Sequence, residues 1–250
     1  MEDTELLQQN RESWNRIADE WFGSTALPVY GPLVPTEDTL QLFGDVVGKR
    51  LLDIGCGSGH SLLYHGERGA AELWGLDLSD RQLENAGRLL RGRGYAPRLF
   101  CSPMEADPGL PKGYFDFVYS IYAIGWCTDL ERTFHLIASY LKPGGVFIFS
   151  WDHPILPCIE LEGEKLVFAS SYHEEDFYAF EKGGAPVGLY NWKLSTYINA
   201  LAKAGLYVER LVEETDWEAL PRDEAFSSAY YAPAKARKIP LAFVIKAIKR

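Results

Sequence analysis

Residues 51–80, "LLDIGCGSGHSLLYHGERGAAELWGLDLSD", hold the densest set of chemically informative positions in the chain. Gly55, Gly57 and Gly59 alternate directly after an apolar run, where a strand gives way to a helix. A backbone that must turn tightly and approach a ligand needs positions without a Cβ. The start of the following helix offers unsatisfied N–H groups. Asp77 ends the next apolar run, at the roughly 20-residue separation that suits a carboxylate accepting from the two hydroxyls of a ribose. Asp53 lies just before the first glycine.

Two classes of ligand use such a loop, and the spacing separates them. Dinucleotide sites carry G-x-G-x-x-G, with a pyrophosphate on the helix N-terminus. Here the spacing is G-x-G-x-G, and the carboxylate of Asp53 beside it repels phosphate but favours a cationic amino group. Asp53 equally suits a structural acid bonded to local N–H groups. The expected ligand therefore carries a ribose and a positive charge and no phosphate, properties that S-adenosylmethionine combines. A nicotinamide-dependent oxidoreductase is the less favoured alternative.

Alternating strands and helices must position these residues. Apolar periodicity predicts a helix over 5–22, a Gly/Pro loop over 23–35 and a helical stretch near 36–47. Strands follow at "RLLDIG", "ELWGLDL", "PRLFCS", "FDFVYSI" and "VFIFSW", with helices expected over 59–69, 80–92 and "TDLERTFHLIASYLKPGG". Thr128 and Glu131 have capping-box spacing, and Pro143-Gly144-Gly145 stops that last helix. Such alternation predicts an α/β fold with a doubly wound, mostly parallel sheet. Residues 152–190 read as irregular and aromatic. A helix returns at "STYINALAKAG", with Ser195 as N-cap and Gly205 as stop. "LYVERLVE" and "LAFVIKAIK", separated by the polar stretch 214–238, are expected to close the sheet edge as an antiparallel hairpin.

Residues 45–150 resemble a class I S-adenosylmethionine-dependent methyltransferase of the small-molecule, methyltransferase-11/25-like type. The resemblance rests on "LLDIGCGSG", Asp77 in "GLDLSDRQLENA", "FDFVYS" and "ASYLKPGGVFIFS", in the family's order and at its intervals. It implies a Rossmann-like seven-stranded sheet with an antiparallel C-terminal strand, an N-terminal helical lid over 1–44, and a methyltransferase domain over 45–250 with a substrate-lobe insertion at 152–190. Gly55, Cys56, Gly57 and Gly59 would place backbone against the methionine part. Asp53 would help hold the amino group, Asp77 would take the ribose hydroxyls, and Leu78 would pack on adenine. Ser120 would lie beside the methionine moiety, and Trp14 and Trp21 would cover the cofactor. Many relatives place Gly-Asp-Ala after the third strand. Here "CSPMEADP" stands there, with Pro103 in the acidic position, so Glu105 or the Met104 backbone would meet the adenine. Trp14 and Trp21 equally suit the core face of a helix.

The remaining expectations concern the acceptor. Tyr30, Trp126, Trp151, Tyr172 and Tyr190 are candidate pocket residues in a chain with 7 Trp, 14 Tyr and 13 Phe. His153, just past the fifth strand, is a candidate general base, its neutral imidazole able to take a proton from a hydroxyl or amine; a loop histidine bonded to a carbonyl is the alternative. His60, His65 and His135 read as surface or packing residues. The formal net charge of −10 disfavours nucleic acid and anionic membranes as partners. The four cysteines form no C-x-x-C pair, so neither a metal site nor a redox pair is expected. Reduced thiols and a polar, acidic N-terminus fit a cytoplasmic protein. The sequence thus predicts methyl transfer from S-adenosylmethionine to a small, apolar or aromatic acceptor, as a monomer or homodimer. A non-catalytic S-adenosylmethionine-binding module is the principal alternative.

Overall fold

A computed structural model describes residues 3–163, 165–221 and 229–250. In chain order it contains α1 (Asp3–Ile17), α2 (Glu37–Leu40), β1 (Arg50–Ile54), α3 (His60–Gly66), β2 (Glu72–Asp77), α4 (Asp80–Gly92), β3 (Arg98–Cys101), β4 (Phe115–Ile121), α5 (Leu130–Tyr140) and β5 (Leu141–Asp152). These are followed by β6 (Ile159–Glu162), β7 (Lys165–Phe168), β8 (Phe177–Lys182), β9 (Ala185–Tyr190), α6 (Leu194–Lys203), β10 (Leu206–Val212), α7 (Pro233–Ala236) and β11 (Ala242–Lys249). Seven strands form one sheet in the order β10-β11-β5-β4-β1-β2-β3. The strands β3, β2, β1, β4 and β5 run parallel, while β11 is antiparallel to both its neighbours. This is the Rossmann-like architecture expected from the β/α alternation.

The inner strands read as continuous apolar runs because both faces of the sheet are covered. Leu52, Ile54 and Val118 pack on one side with Phe134 and Ile137 of α5 and Tyr197 and Leu201 of α6. Leu51, Phe117, Tyr119 and Ile121 pack on the other with Leu62 of α3 and Leu90 of α4. With both faces filled, the ligand-accessible place is the edge above the carboxyl ends of β1, β2 and β4, where the strand order reverses.

Local structure departs from the sequence reading at several points. The first helix stops at Ile17, and the second covers only Glu37–Leu40. Asp129, not Thr128, caps α5, accepting from the Arg132 N–H, while the Thr128 N–H is taken by the Glu105 carboxylate. Ser195 does not cap α6. Its first turn is held from outside by Glu175, whose Oε1 accepts from the Lys193 N–H at 2.8 Å and from the Thr196 hydroxyl. Residues 152–190 are not irregular throughout: they fold into two hairpins, β6–β7 and β8–β9. Of the polar stretch 214–238, residues 222–228 lie outside the described residues, and α7 forms near its end.

The N-terminal helix is fastened at both sides. Buried Asn10 pairs through its amide with both backbone groups of Gly188, donating at 2.8 Å and accepting at 2.9 Å, as an extra strand would. The Ser13 hydroxyl donates to Pro186 O at 2.5 Å, which completes the attachment to β9. Toward α4, Asn15 Oδ1 accepts from the Ser79 hydroxyl at 2.6 Å, and Arg11 pairs with Asp80 at 2.7 Å. Helix α1 and hairpin β8–β9 thus form one unit over the carboxyl edge of the sheet.

Candidate active site

The glycine loop leaves β1 with the Gly55 and Cys56 N–H groups both donating to Leu76 O, at 2.7 and 3.0 Å. Gly55, Gly57 and Gly59 have φ of 73°, 49° and 80°, in the left-handed region that a side chain disfavours. Their surroundings differ. A Cβ on Gly57 would have no protein atom nearer than Gln82 Oε1 at 3.9 Å and would project into a cavity. A Cβ on Gly59 would instead meet Ala86 Cβ at 2.9 Å, so this glycine lets α3 pack on α4 and does not face the ligand edge. The Cys56 thiol turns into the core against Gly75, leaving its backbone at the cavity.

Asp77 stitches this loop to the end of β2. One carboxylate oxygen accepts from the Gly57 N–H at 2.8 Å and the other from the Ser79 N–H at 2.8 Å. Burial pushes its carboxyl up to about 6, against the pull of these N–H donors. A carboxylate fixed by two backbone donors still has lone pairs for two hydroxyls.

The cavity over the loop is also lined by Trp14 and Trp21 from the N-terminal segment and by Leu78, Met104 and Glu105. Two buried acceptors among its walls have no hydrogen-bond partner among the described residues: Gln82 Oε1 and Glu105 Oε2. Buried polar atoms are normally satisfied, so the pair marks where a ligand's donors belong. The open space beside Gly57 and these orphaned acceptors fit a molecule with ribose hydroxyls at Asp77 and further N–H donors within reach. In this respect the residues suit S-adenosylmethionine.

Several expected residues stand elsewhere. Asp53 is 2% exposed and lies behind the loop. Its register partner on β4 is Tyr119, burial together with the charge of Asp77 pushes its carboxyl well up, and it is not among the residues lining the cavity. Ser120 is completely buried within β4; the residues that follow it, Ile121 to Ala123, reach the cavity instead. Gln82 and His60 are cavity residues that the sequence reading missed, His60 having been assigned to surface or packing. The helix periodicity of α4 carries no mark for Gln82, because its capped first turn points at the cavity only through the β2–α4 turn.

A second cavity, of about 490 Å³, adjoins the first. Trp14, Trp21, Thr25, Tyr122 and Trp126 line both, so they form the shared wall. The Trp14 ring lies edge-on to Trp21 and Trp126, with ring centres 6.0 and 5.3 Å away, and Trp126 is 5.6 Å from Trp151. Gly125 permits this stack, since a Cβ there would lie 1.9 Å from the Trp151 ring. The Lys182 ammonium sits 4.1 Å from the Trp21 ring centre and 5.8 Å from those of Trp14 and Trp126. Tyr122, at φ 55°, is a bulky residue in the left-handed region, which costs about 1–3 kcal/mol and recurs where function fixes a side chain. Its hydroxyl donates to Asp152, which also accepts from Tyr231 at 3.2 Å.

Of the pocket candidates, Trp126 and Trp151 line this second cavity and the other three do not. Tyr30 is fully buried in the core, its hydroxyl donating to Glu37 at 2.6 Å. The Tyr172 hydroxyl accepts from the Leu194 N–H at 3.3 Å, and Tyr190 stacks on Trp192. His153 turns from both cavities toward Glu213, 2.7 Å from its Nε2, while its Nδ1 accepts from the Ile155 N–H. These bonds place the proton on Nε2 and, with Phe243 packed edge-on, make it a structural histidine rather than a base at the site. The pocket residues missed include Tyr178, Phe180 and Lys182, whose period-2 spacing in "FYAFEK" was a legible strand signal.

Comparison with known proteins gives the following. Residues 52–149 match a family model described as a methyltransferase domain. An uncharacterized protein of Haemophilus influenzae is 33% identical over 187 residues, covering 70% of this chain and 73% of that protein. A malonyl-[acyl-carrier protein] O-methyltransferase of Enterobacter lignolyticus is 36% identical over 101 residues, 40% of this chain and 38% of that enzyme, so the chain spans well under half of that relative. The crystal structure of an S-adenosylmethionine-dependent methyltransferase from Mesorhizobium loti superimposes with a TM-score of 0.70 at 26% identity, covering 85% of this chain and 96% of the other.

Proposed function

Because the chain belongs to the class I S-adenosylmethionine-dependent methyltransferase family, we propose that it binds S-adenosylmethionine in the loop cavity and transfers the methyl group to a small molecule in the adjoining aromatic cavity. The observation that carries this proposal is the shared wall of Trp14, Trp21, Thr25, Tyr122 and Trp126 between the two cavities. Bound S-adenosylmethionine supplies a methyl group on a cationic sulfur that departs as a neutral thioether. The protein's part is to hold the acceptor in line and exclude water, an effect able to contribute about 7–11 kcal/mol of barrier reduction. In this assignment Asp77 accepts from the ribose hydroxyls, Gly55, Cys56 and Gly57 lay backbone along the methionine part, and Leu78 and Met104 enclose the adenine. Glu105 Oε2 and Gln82 Oε1 are free to accept from N–H groups. Trp14 and Trp21 close the cavity, and their rings suit a neighbouring cation. Residues 1–44 act as a cap on a catalytic domain spanning 45–250, and segment 152–190 supplies much of the acceptor wall.

Among the described residues no helix is long and apolar enough to cross a membrane. Titration calorimetry with S-adenosylhomocysteine tests the cofactor half of the proposal: binding in the micromolar range is expected, and no heat at millimolar ligand would refute it. Binding without turnover over a broad acceptor panel would instead favour a non-catalytic module.

A further inference from the structure

Asp152, Lys182 and Tyr231 line the second cavity next to Tyr122, which belongs to the wall shared with the first. We propose that Tyr122, Asp152 and Lys182 form the acceptor-activating group, and that the acceptor is an aromatic molecule presenting a hydroxyl; this rests on the methyl-transfer assignment above. Tyr122 lines both cavities and its hydroxyl donates to Asp152. Its ring is held there by design of the backbone: the Tyr122 N–H donates to Ser150 O and Oγ at 3.1 Å each, and Gly31 leaves the space the ring fills, since a Cβ there would lie 2.5 Å from Tyr122 Cε2. Asp152 lines the second cavity, with Tyr231 donating from the opposite side. Burial lifts the Asp152 carboxyl to about 6, against the bonds from Tyr122, Tyr231 and Tyr230 and the charge of Lys182. The buried Tyr197 hydroxyl of α6 is also within reach of its charge.

The surroundings select the acceptor class. Trp126, Trp151, Tyr178 and Phe180 offer ring faces and edges to a planar molecule. Lys182, on the same wall, repels a cationic amine and stabilises an oxygen that gains negative charge. In the transfer step the acceptor oxygen takes the methyl group, and the electron pair of the broken carbon–sulfur bond stays on sulfur. The acceptor's proton passes to Tyr122 Oη as the Tyr122 proton passes to Asp152, which ends protonated. Asp152 is thus a stronger base than an ordinary carboxylate, placed one hydroxyl away from the reacting atom.

The test uses Asp152→Asn and Tyr122→Phe in the full chain with a series of substituted phenols of graded acidity, at saturating S-adenosylmethionine. Unchanged S-adenosylhomocysteine affinity by calorimetry certifies folded variants. For the wild type, kcat/KM should rise as pH rises through about 6 and level off above it. Both variants should lose at least a hundredfold in kcat with the least acidic phenols, much less with phenols already ionised, and Asp152→Asn should lose the pH limb. Independently of turnover, quenching of tryptophan emission by 4-methylphenol should show at least tenfold weaker binding to Asp152→Asn. Retained rates or unchanged phenol binding in the variants would overturn the activating group. S-adenosylhomocysteine binding with no phenol methylated would overturn the acceptor class, and no S-adenosylhomocysteine binding would overturn the underlying methyl-transfer assignment.

Discussion

Gly57 and Gly59 share a loop, a positive φ and a sequence motif, yet they serve different ends. Gly57→Ala places its methyl toward the cavity, with Gln82 Oε1 at 3.9 Å as its nearest neighbour and no clash. The fold should survive with a backbone cost of about 1–2 kcal/mol, while affinity for S-adenosylhomocysteine falls at least about tenfold, close to the 1.4 kcal/mol of one lost contact. Gly59→Ala drives its methyl against Ala86 and should cost about 1–3 kcal/mol or more in stability. Calorimetric unfolding and titration on the two variants separate packing from ligand approach. At Asp77 the expectation concerns pH. Its carboxyl is pushed up to about 6 in the free protein, and the ionised form is the stronger acceptor for the ribose hydroxyls. Cofactor affinity should therefore be flat above about pH 6 and decline as pH falls below it. Asp77→Asn should bind about 10–100-fold more weakly, as expected for bonds to a charged group of about 1.5–3 kcal/mol, and should lose this pH dependence. Titrations at pH 5 and pH 7.5 decide it.

Helix α1 is polar in composition and borrows its position from its neighbours. Asn10 holds it to β9 through two bonds, its amide donating to Gly188 O and accepting from Gly188 N–H. Asn10→Ala leaves the Gly188 N–H and C=O unpaired in a buried place, at a cost of about 1–3 kcal/mol. Hydrogen exchange should then accelerate over residues 3–17 while β1 and β4 stay protected. Cofactor affinity should fall as well, because Trp14 rides on that helix. Unchanged exchange would show that the contacts to α4 suffice. The same interdependence explains the start of α6, which owes its order to Glu175 from the segment before it rather than to a cap of its own.

Across the whole molecule, one buried group sets a pH limit on folding. His65 is 1% exposed among Phe43, Tyr64 and Tyr119, and neither ring nitrogen has a partner among the described residues. Burial drives its pKa down to about 3 from an ordinary 6.5. The folded state holds it neutral while the unfolded chain protonates it below about 6.5, so stability present above that pH is lost as pH falls toward 3. The slope is at most about 1.4 kcal/mol per pH unit from this residue. His65→Leu, similar in volume and without polar atoms, should raise the melting temperature at pH 5 more than at pH 8. Equal shifts at both would place the acid sensitivity elsewhere.

The sequence by itself determined the alternating sheet, its antiparallel last strand, the glycine loop and Asp77, because each is written in local periodicity or in spacing within one β/α unit. It also offered Trp126 as a candidate pocket residue, while Trp14 was placed over the cofactor only by the family resemblance. Only the tertiary structure decided which side chains meet above the sheet edge. Tyr122, Asp152, Lys182 and Tyr231 come from four separate segments and have no common spacing. For the same reason His153, adjacent in sequence to Asp152, points the other way: successive residues leaving a strand face opposite sides, and one position separates a structural imidazole from the carboxylate in the cavity.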